Sequence, residues 1–512
     1  MDVRGRAKLK RKDNRKYSDL IMEKVILNPS YLLRQDKMRV ILVHQEYIND
    51  KGEEWFTFLH PLQAQMLSFF KGEESFEEEL KQCAFFFHLS YETMSFLVRP
   101  FVNNEQWFCL PQKNGQNSYF PKNVLITKTD DTIRHTVYTP EDFPYQGEPD
   151  FSDYRLEYPA VVNLELTMKC YVDCCYCYAN RKLQNTKMLS QSEILTFIQD
   201  AKDHGVLQID INGGEVLLHP YIKDILKKLT DCNYYPLIST KMPIAREMID
   251  YIRSLGISLI QISLDSAHPQ TLAKMIKAKP SYLENISRTL TDLSEAHLHT
   301  DINVVLTKYN STLEEVTDLL SFLSRFTAVK AVKFNPCGFS LYKSDFSTYA
   351  PSIQQIEQVE SYIDTLKADY PNIKISKSSF DRQSDYTEEN KEVNFEKRAI
   401  CTGNLRNVVV LPNGNVTICE ELYDLSPFVI GNIREHSLGE IWNSQKALSL
   451  FNFAFKPFSE SPCYTCAERQ SCRTTVGICW KMVLMAYGKD SWDYPDPRCP
   501  KSPVPDHIFY LK

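Results

Sequence analysis

Cys170, Cys174 and Cys177 stand at C-x3-C-x2-C spacing in the segment Cys170-Tyr171-Val172-Asp173-Cys174-Cys175-Tyr176-Cys177. Three thiolates on one short loop can hold three corners of a cubic [4Fe–4S] cluster and leave the fourth iron without a protein ligand. A small molecule can chelate that open iron and receive an electron from it. The same thiolates could hold zinc, so spacing alone leaves two metals open. Further along, Asn212-Gly213-Gly214-Glu215 offers glycines that let backbone approach a ligand and a carboxylate that can accept from an ammonium group. Taken by itself this could equally be a strand-ending turn with a surface glutamate. Ser239-Thr240-Lys241 and Ser263-Leu264-Asp265-Ser266 add hydroxyl, ammonium and carboxylate groups. Cys401, Cys419, Cys463, Cys466, Cys472, Cys479 and Cys499 form a second concentration of thiols, suited to iron–sulfur ligation or to a zinc ribbon.

These residues need elements to position them. The run Val161–Thr167 leads directly into the cysteine loop, and further strand patterns cover Leu207–Ile211, Tyr235–Ser239, Leu259–Leu264, Ile302–Leu306 and Val332–Phe334. Amphipathic stretches such as Ser190 to His204 and Ser311 to Phe326 separate them. This alternation predicts an α/β fold with a parallel sheet covered by helices. Six such strands fit a partial (β/α)6 TIM-like barrel, although an open doubly wound sheet has the same rhythm. In a barrel the C-terminal strand ends converge on one mouth, where the polar strand ends would meet the cysteine loop. Asn303, Thr307 and Asn310 around the fifth strand read either as ligand contacts or as helix caps.

Residues 20–110 have a different texture. Strand patterns at Met38–Val43 and Trp55–Phe58 precede helical ones at Pro61–Phe70, Ser75–His88 and Tyr91–Val102, the order of a winged-helix-like module. Phe69, Phe70, Phe85, Phe86, Phe87, Phe96 and Phe101 read as its core. The expected organisation is a basic flexible arm at 1–19, this module at 20–110, a linker at 111–155 with one strand at Val124–Thr127, the barrel at 156–345, a bridging region at 346–395 and the cysteine-rich domain at 396–512. The arm carries Arg4, Arg6, Lys8, Lys10, Arg11, Lys12, Arg15 and Lys16 without an apolar segment behind it, unlike a signal peptide.

A chain of 512 residues with 43% hydrophobic residues can bury several cores. Its net charge of −6 argues against general nucleic-acid binding. No apolar run approaches the ~18 residues a membrane span needs. Of 15 cysteines, ten fall in the two thiol groups, a distribution that favours metal ligation over a disulfide framework and implies a reducing, cytoplasmic compartment.

The cysteine loop, with Tyr176 before its last cysteine, and the Gly213-Gly214-Glu215 motif resemble those of the radical S-adenosylmethionine (radical SAM) enzymes. The resemblance implies a first [4Fe–4S] cluster on Cys170, Cys174 and Cys177. It further implies S-adenosylmethionine held near Tyr176, Gly213, Gly214, Glu215, Ser239, Thr240, Lys241, Ser263 and Asp265. The later cysteines, with Gly414, Gly431-Asn432-Ile433, Glu440-Ile441-Trp442 and Asp496-Pro497-Arg498-Cys499-Pro500, resemble the SPASM extension, which houses two auxiliary [4Fe–4S] clusters. By the family arrangement Cys463, Cys466, Cys472 and Cys499 would enclose one, while Cys401, Cys419 and Cys479 would hold the other. Two departures stand out: Val476 occupies the place where the family usually has the cysteine that arrives here as Cys479, and Asn407 stands where some members have a fourth ligand. The inner cluster would then be open at one iron, closed by a ligand other than cysteine, or closed by a distant thiol such as Cys337.

Residues 31–110 more faintly resemble the PqqD-like recognition element of peptide maturases, which takes a precursor's leader as an added strand. A plain winged-helix or dimerisation module has the same pattern. The resemblances imply an oxidoreductase that cleaves S-adenosylmethionine with an electron from flavodoxin or ferredoxin. It would act on a ribosomally synthesised precursor peptide, forming a thioether or carbon–carbon crosslink. A sulfatase-type maturase that oxidises a Cys or Ser side chain, and a non-catalytic peptide-binding or redox protein with clusters, are the rival readings. No spacing singles out a general base.

Overall fold

The computed structural model describes residues 22–47, 54–112, 115–130, 135–180, 186–343, 346–380, 382–454 and 457–507. The basic arm lies outside the described residues. The chain divides into two compact units, Met1–Asp153 and Tyr154–Lys512.

The first unit contains strands β1 (Val25–Leu27), β2 (Tyr31–Asp36), β3 (Arg39–Tyr47) and β4 (Glu54–Leu59), helices Pro61–Leu67, Phe76–Phe86 and Tyr91–Val98, then β5 (Phe108–Pro111), β6 (Asn117–Phe120) and β7 (Leu125–Thr127). Strands β2, β3 and β4 form an antiparallel sheet in that order. The helices start where side chains satisfy the first free N–H groups: Ser75 accepts from Glu78 N and Ser90 from Thr93 N. Residues 111–127 do not run as a plain linker. Phe108–Pro111 pairs with Asn117–Phe120, and β7 pairs with β1, because Phe120, Val124 and Leu125 are fully buried while the turn-forming residues occupy the tips.

The aromatic core is smaller than the sequence suggests. Phe70 and Phe101 are buried, but Phe85 and Phe96 are 82% and 70% exposed and Phe86 is exposed as well. Successive helical residues turn by about 100°, so Phe85, Phe86 and Phe87 cannot share one face; Phe76, Leu80, Cys83 and Ala84 occupy the inward one.

The next helical turn buries a carboxyl. Glu79 Oε1 accepts from Lys71 N (3.1 Å) and Glu73 N (3.2 Å), while its buried Oε2 has no hydrogen-bond partner among the described residues. Burial pushes this carboxyl up to about 7, with the backbone N–H groups opposing the shift. The folded state therefore holds a proton that the unfolded chain has released, and stability falls as pH rises from about 4.5 to about 7. Glu79→Gln is expected to stabilise the fold at pH 8 by at most about 3 kcal/mol, raising the thermal midpoint, and to leave the midpoint unchanged at pH 4. Melting curves at the two pH values check this.

The second unit builds the predicted barrel strands: β8 (Val161–Thr167), β9 (Gln208–Gly213), β10 (Ile238–Thr240), β11 (Leu259–Ser263), β12 (His299–Leu306) and β13 (Val329–Pro336), followed by β14 (Lys374–Lys377), β15 (Asn407–Val410), β16 (Asn415–Thr417) and β17 (Val429–Asn432). Hydrogen bonding divides them into two five-stranded sheets, β10-β11-β12-β13-β14 and β17-β16-β15-β8-β9. Strands β8 to β14 pair in parallel within their sheets, and β15 joins β8 in parallel with Val409 opposite Asn163. The cysteine-rich segment thus begins as strands added to the barrel's own sheet. The segment 346–395, expected as a bridging region, contributes β14 to the other sheet.

On β8 the alternate residues Val162, Leu164 and Leu166 enter the main apolar core with Ile194, Phe197 and Ile198 of helix Gln191–Asp203. That helix starts at a capping box, Ser190 accepting from Glu193 N while Glu193 Oε2 accepts from Ser190 N. Buried Arg155 ties the start of this unit to its end: Nε donates to Asn404 O (3.0 Å), Nη2 to Trp442 O (2.5 Å), and the guanidinium lies 4.2 Å from the Trp442 ring centroid. Among the described residues no helix is long and apolar enough to cross a membrane.

Candidate active site

The cysteine loop hangs between β8 and the helix Pro269–Ile276. Asp173 N donates to Ile276 O (3.0 Å), Cys175 N to Met275 O (2.8 Å), and Lys343 Nζ to Cys174 O (3.1 Å). These bonds fix the loop backbone while Cys170, Cys174 and Cys177 stay partly exposed and outside any disulfide. Cys175, between two ligand candidates, packs against the apolar core instead, and its charge acts on buried Cys337. Cys337 therefore keeps company with this loop.

Gly213 and Gly214 close tightly on the loop's base. A Cβ on Gly213, whose φ is +128°, would lie 2.3 Å from Thr167 O, and one on Gly214 would lie 2.2 Å from Lys169 O. That approach lets Gly214 N reach Thr167 O (2.5 Å) and Glu215 N reach Lys169 O (2.7 Å). Glu215, 2% exposed, accepts from Thr240 Oγ1 (2.9 Å) and Lys241 N (3.0 Å). Burial raises its carboxyl above the ordinary range, and the Lys241 N–H and Thr240 hydroxyl partly offset this.

Beside it, Lys241 Nζ donates to Tyr176 OH (2.8 Å) and Asp265 Oδ2 (2.9 Å), and Tyr176 OH donates to the same carboxylate oxygen. Burial opposes the charge on Lys241, but Asp265 and the Cys174 thiolate overcome it and hold the ammonium above its usual value. Asp265 is itself anchored, its Oδ1 accepting from Val305 N (2.9 Å) and its carbonyl from Asn310 Nδ2 (2.8 Å). Asn310 also takes the Thr307 N–H (2.7 Å), so Thr307 and Asn310 act as a loop tie and not as ligand contacts. Tyr176, Glu215, Thr240, Lys241 and Asp265 thus form one connected group. Ser239 and Ser263 belong to a separate ladder, joined through Gln261 (2.7 and 3.0 Å).

The later cysteines separate into two electrostatic sets. The charges of Cys401 and Cys479 add to burial in raising the Cys419 thiol, and burial with Cys401 pushes Cys479 up to about 12. Burial also raises Cys499, to which Cys463, Cys472 and Cys466 all add. Cations stand against the second set: Arg398 Nη2 is 3.4 Å from Cys472 Sγ, Lys501 Nζ 3.4 Å from Cys466 Sγ, and Arg473 Nη2 3.8 Å from Cys463 Sγ. Cys479 is therefore placed with Cys401 and Cys419 despite its displaced sequence position; Gly477, at φ +72°, makes the detour, and a Cβ added to it would lie 3.1 Å from Cys401 Cβ.

Among the described residues no three His, Cys, Asp or Glu groups converge tightly enough for a single metal ion. A cubic cluster asks for no such convergence, since each thiolate binds its own iron corner. The donor sets fit clusters: soft thiols in threes and a four, which give up their protons to a metal, with cations beside them to balance the added negative charge.

Sequence reasoning missed the polar lining of the barrel. Asn212 Nδ2 donates to Asn163 Oδ1 (2.8 Å), and Asn163 Nδ2 to Glu420 Oε2 (2.9 Å), which places β8, β9 and the residue after Cys419 in one network. The available signal was the alternation of Asn163, Glu165 and Thr167 with Val162, Leu164 and Leu166, on a strand whose parallel pairing favours continuous apolar residues.

A parallel barrel whose first strand ends in a three-cysteine loop, beside a glycine–glycine–glutamate cradle, defines a radical SAM core. Residues 164–323 match the Radical SAM superfamily, and residues 401–467 match SPASM, an iron-sulfur cluster-binding domain. The chain thus carries a stretch that matches the radical SAM superfamily followed by one that matches SPASM, and its thiol sets fit the [4Fe–4S] clusters, and its glycine–glycine–glutamate cradle the S-adenosylmethionine, that such domains imply. It is 22% identical over 356 residues to PqqA peptide cyclase of Granulibacter bethesdensis, a match spanning 68% of this chain and 89% of that protein. It is 26% identical over 209 residues to molybdenum cofactor biosynthesis protein moc-5 of Caenorhabditis elegans, spanning 39% of this chain and only 34% of that relative. Streptococcus suis SuiB bound to precursor peptide SuiA has a similar fold, with a TM-score of 0.60 at 15% identity, covering 94% of this chain and all of that one.

Proposed function

We propose that the chain is a cytoplasmic maturase that modifies a ribosomally synthesised precursor peptide, closing a thioether or carbon–carbon crosslink with net loss of two hydrogens. The observation that carries this reading is the joining of β15 to β8. Cys401 and Cys419 flank β15 and β16, the strands that extend the sheet whose strand β8 leads into the three-cysteine loop, and this supports an electron-accepting centre near the site of hydrogen abstraction. The small antiparallel sheet of the first unit suits a leader peptide added as a strand, and both PqqA peptide cyclase and SuiB are named with peptides.

In this reading Cys170, Cys174 and Cys177 hold the first cluster, and a flavodoxin or ferredoxin supplies its electron. When bound, cluster and S-adenosylmethionine supply a 5′-deoxyadenosyl radical. The Gly213–Gly214 turn makes room for the cofactor, and Glu215 accepts from its amino group. Tyr176, Thr240, Lys241 and Asp265 form the wall beside it, with Ser239 and Ser263 further out. Cys463, Cys466, Cys472 and Cys499 enclose the outer auxiliary cluster; Cys401, Cys419 and Cys479 hold the inner one.

The test is the mass of a short peptide encoded beside this gene, co-expressed anaerobically in deuterated water with or without the enzyme. A peptide about two hydrogens lighter only with the enzyme supports the reading. Deuterium gain without other change would redirect it to epimerisation, and no change would sink it.

A further inference from the structure

Glu165 is the centre of an unexplained arrangement in the barrel. It sits on β8 facing the same way as Asn163 and Thr167, away from the apolar core, and the strand register sets it opposite Asn212. It is 2% exposed, yet its buried Oε2 has no hydrogen-bond partner among the described residues. Leaving a buried polar atom unpaired costs on the order of 1–3 kcal/mol. Asn163, which flanks it on the same face, is committed elsewhere, to Asn212 and Glu420. Burial, reinforced by Glu420, raises the proton affinity of this carboxyl well above that of an ordinary glutamate.

The surrounding phenols locate the carboxyl between the two thiol groups. Tyr178 and Tyr423 feel the charges of both Glu165 and Cys177, and Tyr342 those of Glu165 and Cys419. Tyr342 OH is held by Leu422 O (2.9 Å), and the Tyr342 and Tyr423 rings meet edge to face at 5.6 Å. No donor among the described residues reaches Glu165 Oε2, so a substrate group entering the barrel meets an acceptor that none of them occupies.

We propose that Glu165 is the proton acceptor of the crosslinking step. The assignment rests on the peptide-maturase reading. The 5′-deoxyadenosyl radical takes one hydrogen atom from a substrate C–H bond. The resulting carbon radical bonds to a second substrate atom, sulfur or carbon, whose own bond to hydrogen breaks. That hydrogen leaves as a proton to the Glu165 carboxylate, and the remaining electron passes to an oxidised iron–sulfur cluster on the auxiliary cysteines. Because Glu165 holds a proton more tightly than a surface carboxylate, its ionised form is the stronger base.

The experiment uses the full-length, cluster-loaded enzyme under anaerobic reduction with its precursor peptide, comparing wild type, Glu165→Gln and Glu165→Ala. Glutamine keeps the shape but cannot take the proton. The readout is 5′-deoxyadenosine formed per crosslinked peptide, with iron content as a check on loading. The ratio is expected to rise from about one to about 10² in Glu165→Gln, the usual contribution of a positioned base. Added formate should bring it back towards the wild-type value in Glu165→Ala. An unchanged ratio, whether both products persist or fall together, overturns the proposal. A wild-type enzyme that makes no lighter peptide sinks the maturase reading itself, and the proposal with it.

Discussion

Cys170→Ala is expected to lower the iron content of the reconstituted enzyme by about four per chain and to abolish formation of 5′-deoxyadenosine, while the auxiliary thiol sets still load. The physical reason is ligand count. A cubic cluster on this loop has three protein thiolates and no fourth, so removing one leaves two corners held and two open to solvent. Losing a group that merely supports a metal ligand typically costs 10–100-fold; loss of a ligand itself should exceed that, a fall of at least about 10³-fold in cofactor cleavage. Neighbouring Cys175 offers no replacement, because its side chain packs against the apolar core beside Cys337. Iron analysis and quantification of 5′-deoxyadenosine under anaerobic reduction check the two halves. Full iron loading in the variant would mean that these three thiols are not the ligand set.

Local pattern carried most of what the sequence disclosed. The six barrel strands were legible because each combines a short apolar run with an amphipathic helix behind it, and the two cysteine groups stood out because thiol spacing is a local property. Strand β10 was placed too early, at Tyr235–Ser239 instead of Ile238–Thr240, since Tyr235 and Leu237 are exposed and mark the approach to the strand. The pairing of β15 with β8 could not be read, because parallel register between residues 161 and 407 depends on the packed sheet and leaves no mark in either segment. The same holds for Asn163, Glu165, Asn212 and Glu420, each an ordinary polar residue until the sheet curls and points them at one another. Phe85, Phe86 and Phe96 show the opposite error, in which residue type suggested burial and helical phase denied it.

Gly214→Ala is expected to cost about 3 kcal/mol of stability and, with it, about 10²-fold in cofactor cleavage. The added methyl would stand 2.2 Å from Lys169 O and 2.8 Å from the Lys169 and Met168 carbonyl carbons, all backbone atoms that no rotamer change can clear. Relief must come from separating the Gly213–Glu215 turn from the end of β8, which breaks the Glu215 N to Lys169 O bond. Lys169 directly precedes Cys170, so the displacement passes straight to the first ligand, and Glu215 loses its position against Thr240 and Lys241. Thermal melting, iron loading and binding of S-adenosylmethionine should all deteriorate together. Gly338→Ala is the control: its added methyl would meet only Lys481 Nζ, at 3.8 Å, and should change stability by less than about 0.5 kcal/mol. If Gly214→Ala melts and binds cofactor like wild type, the turn has slack that this geometry denies, and the cradle would have to be assigned to Gly213 and Glu215 alone.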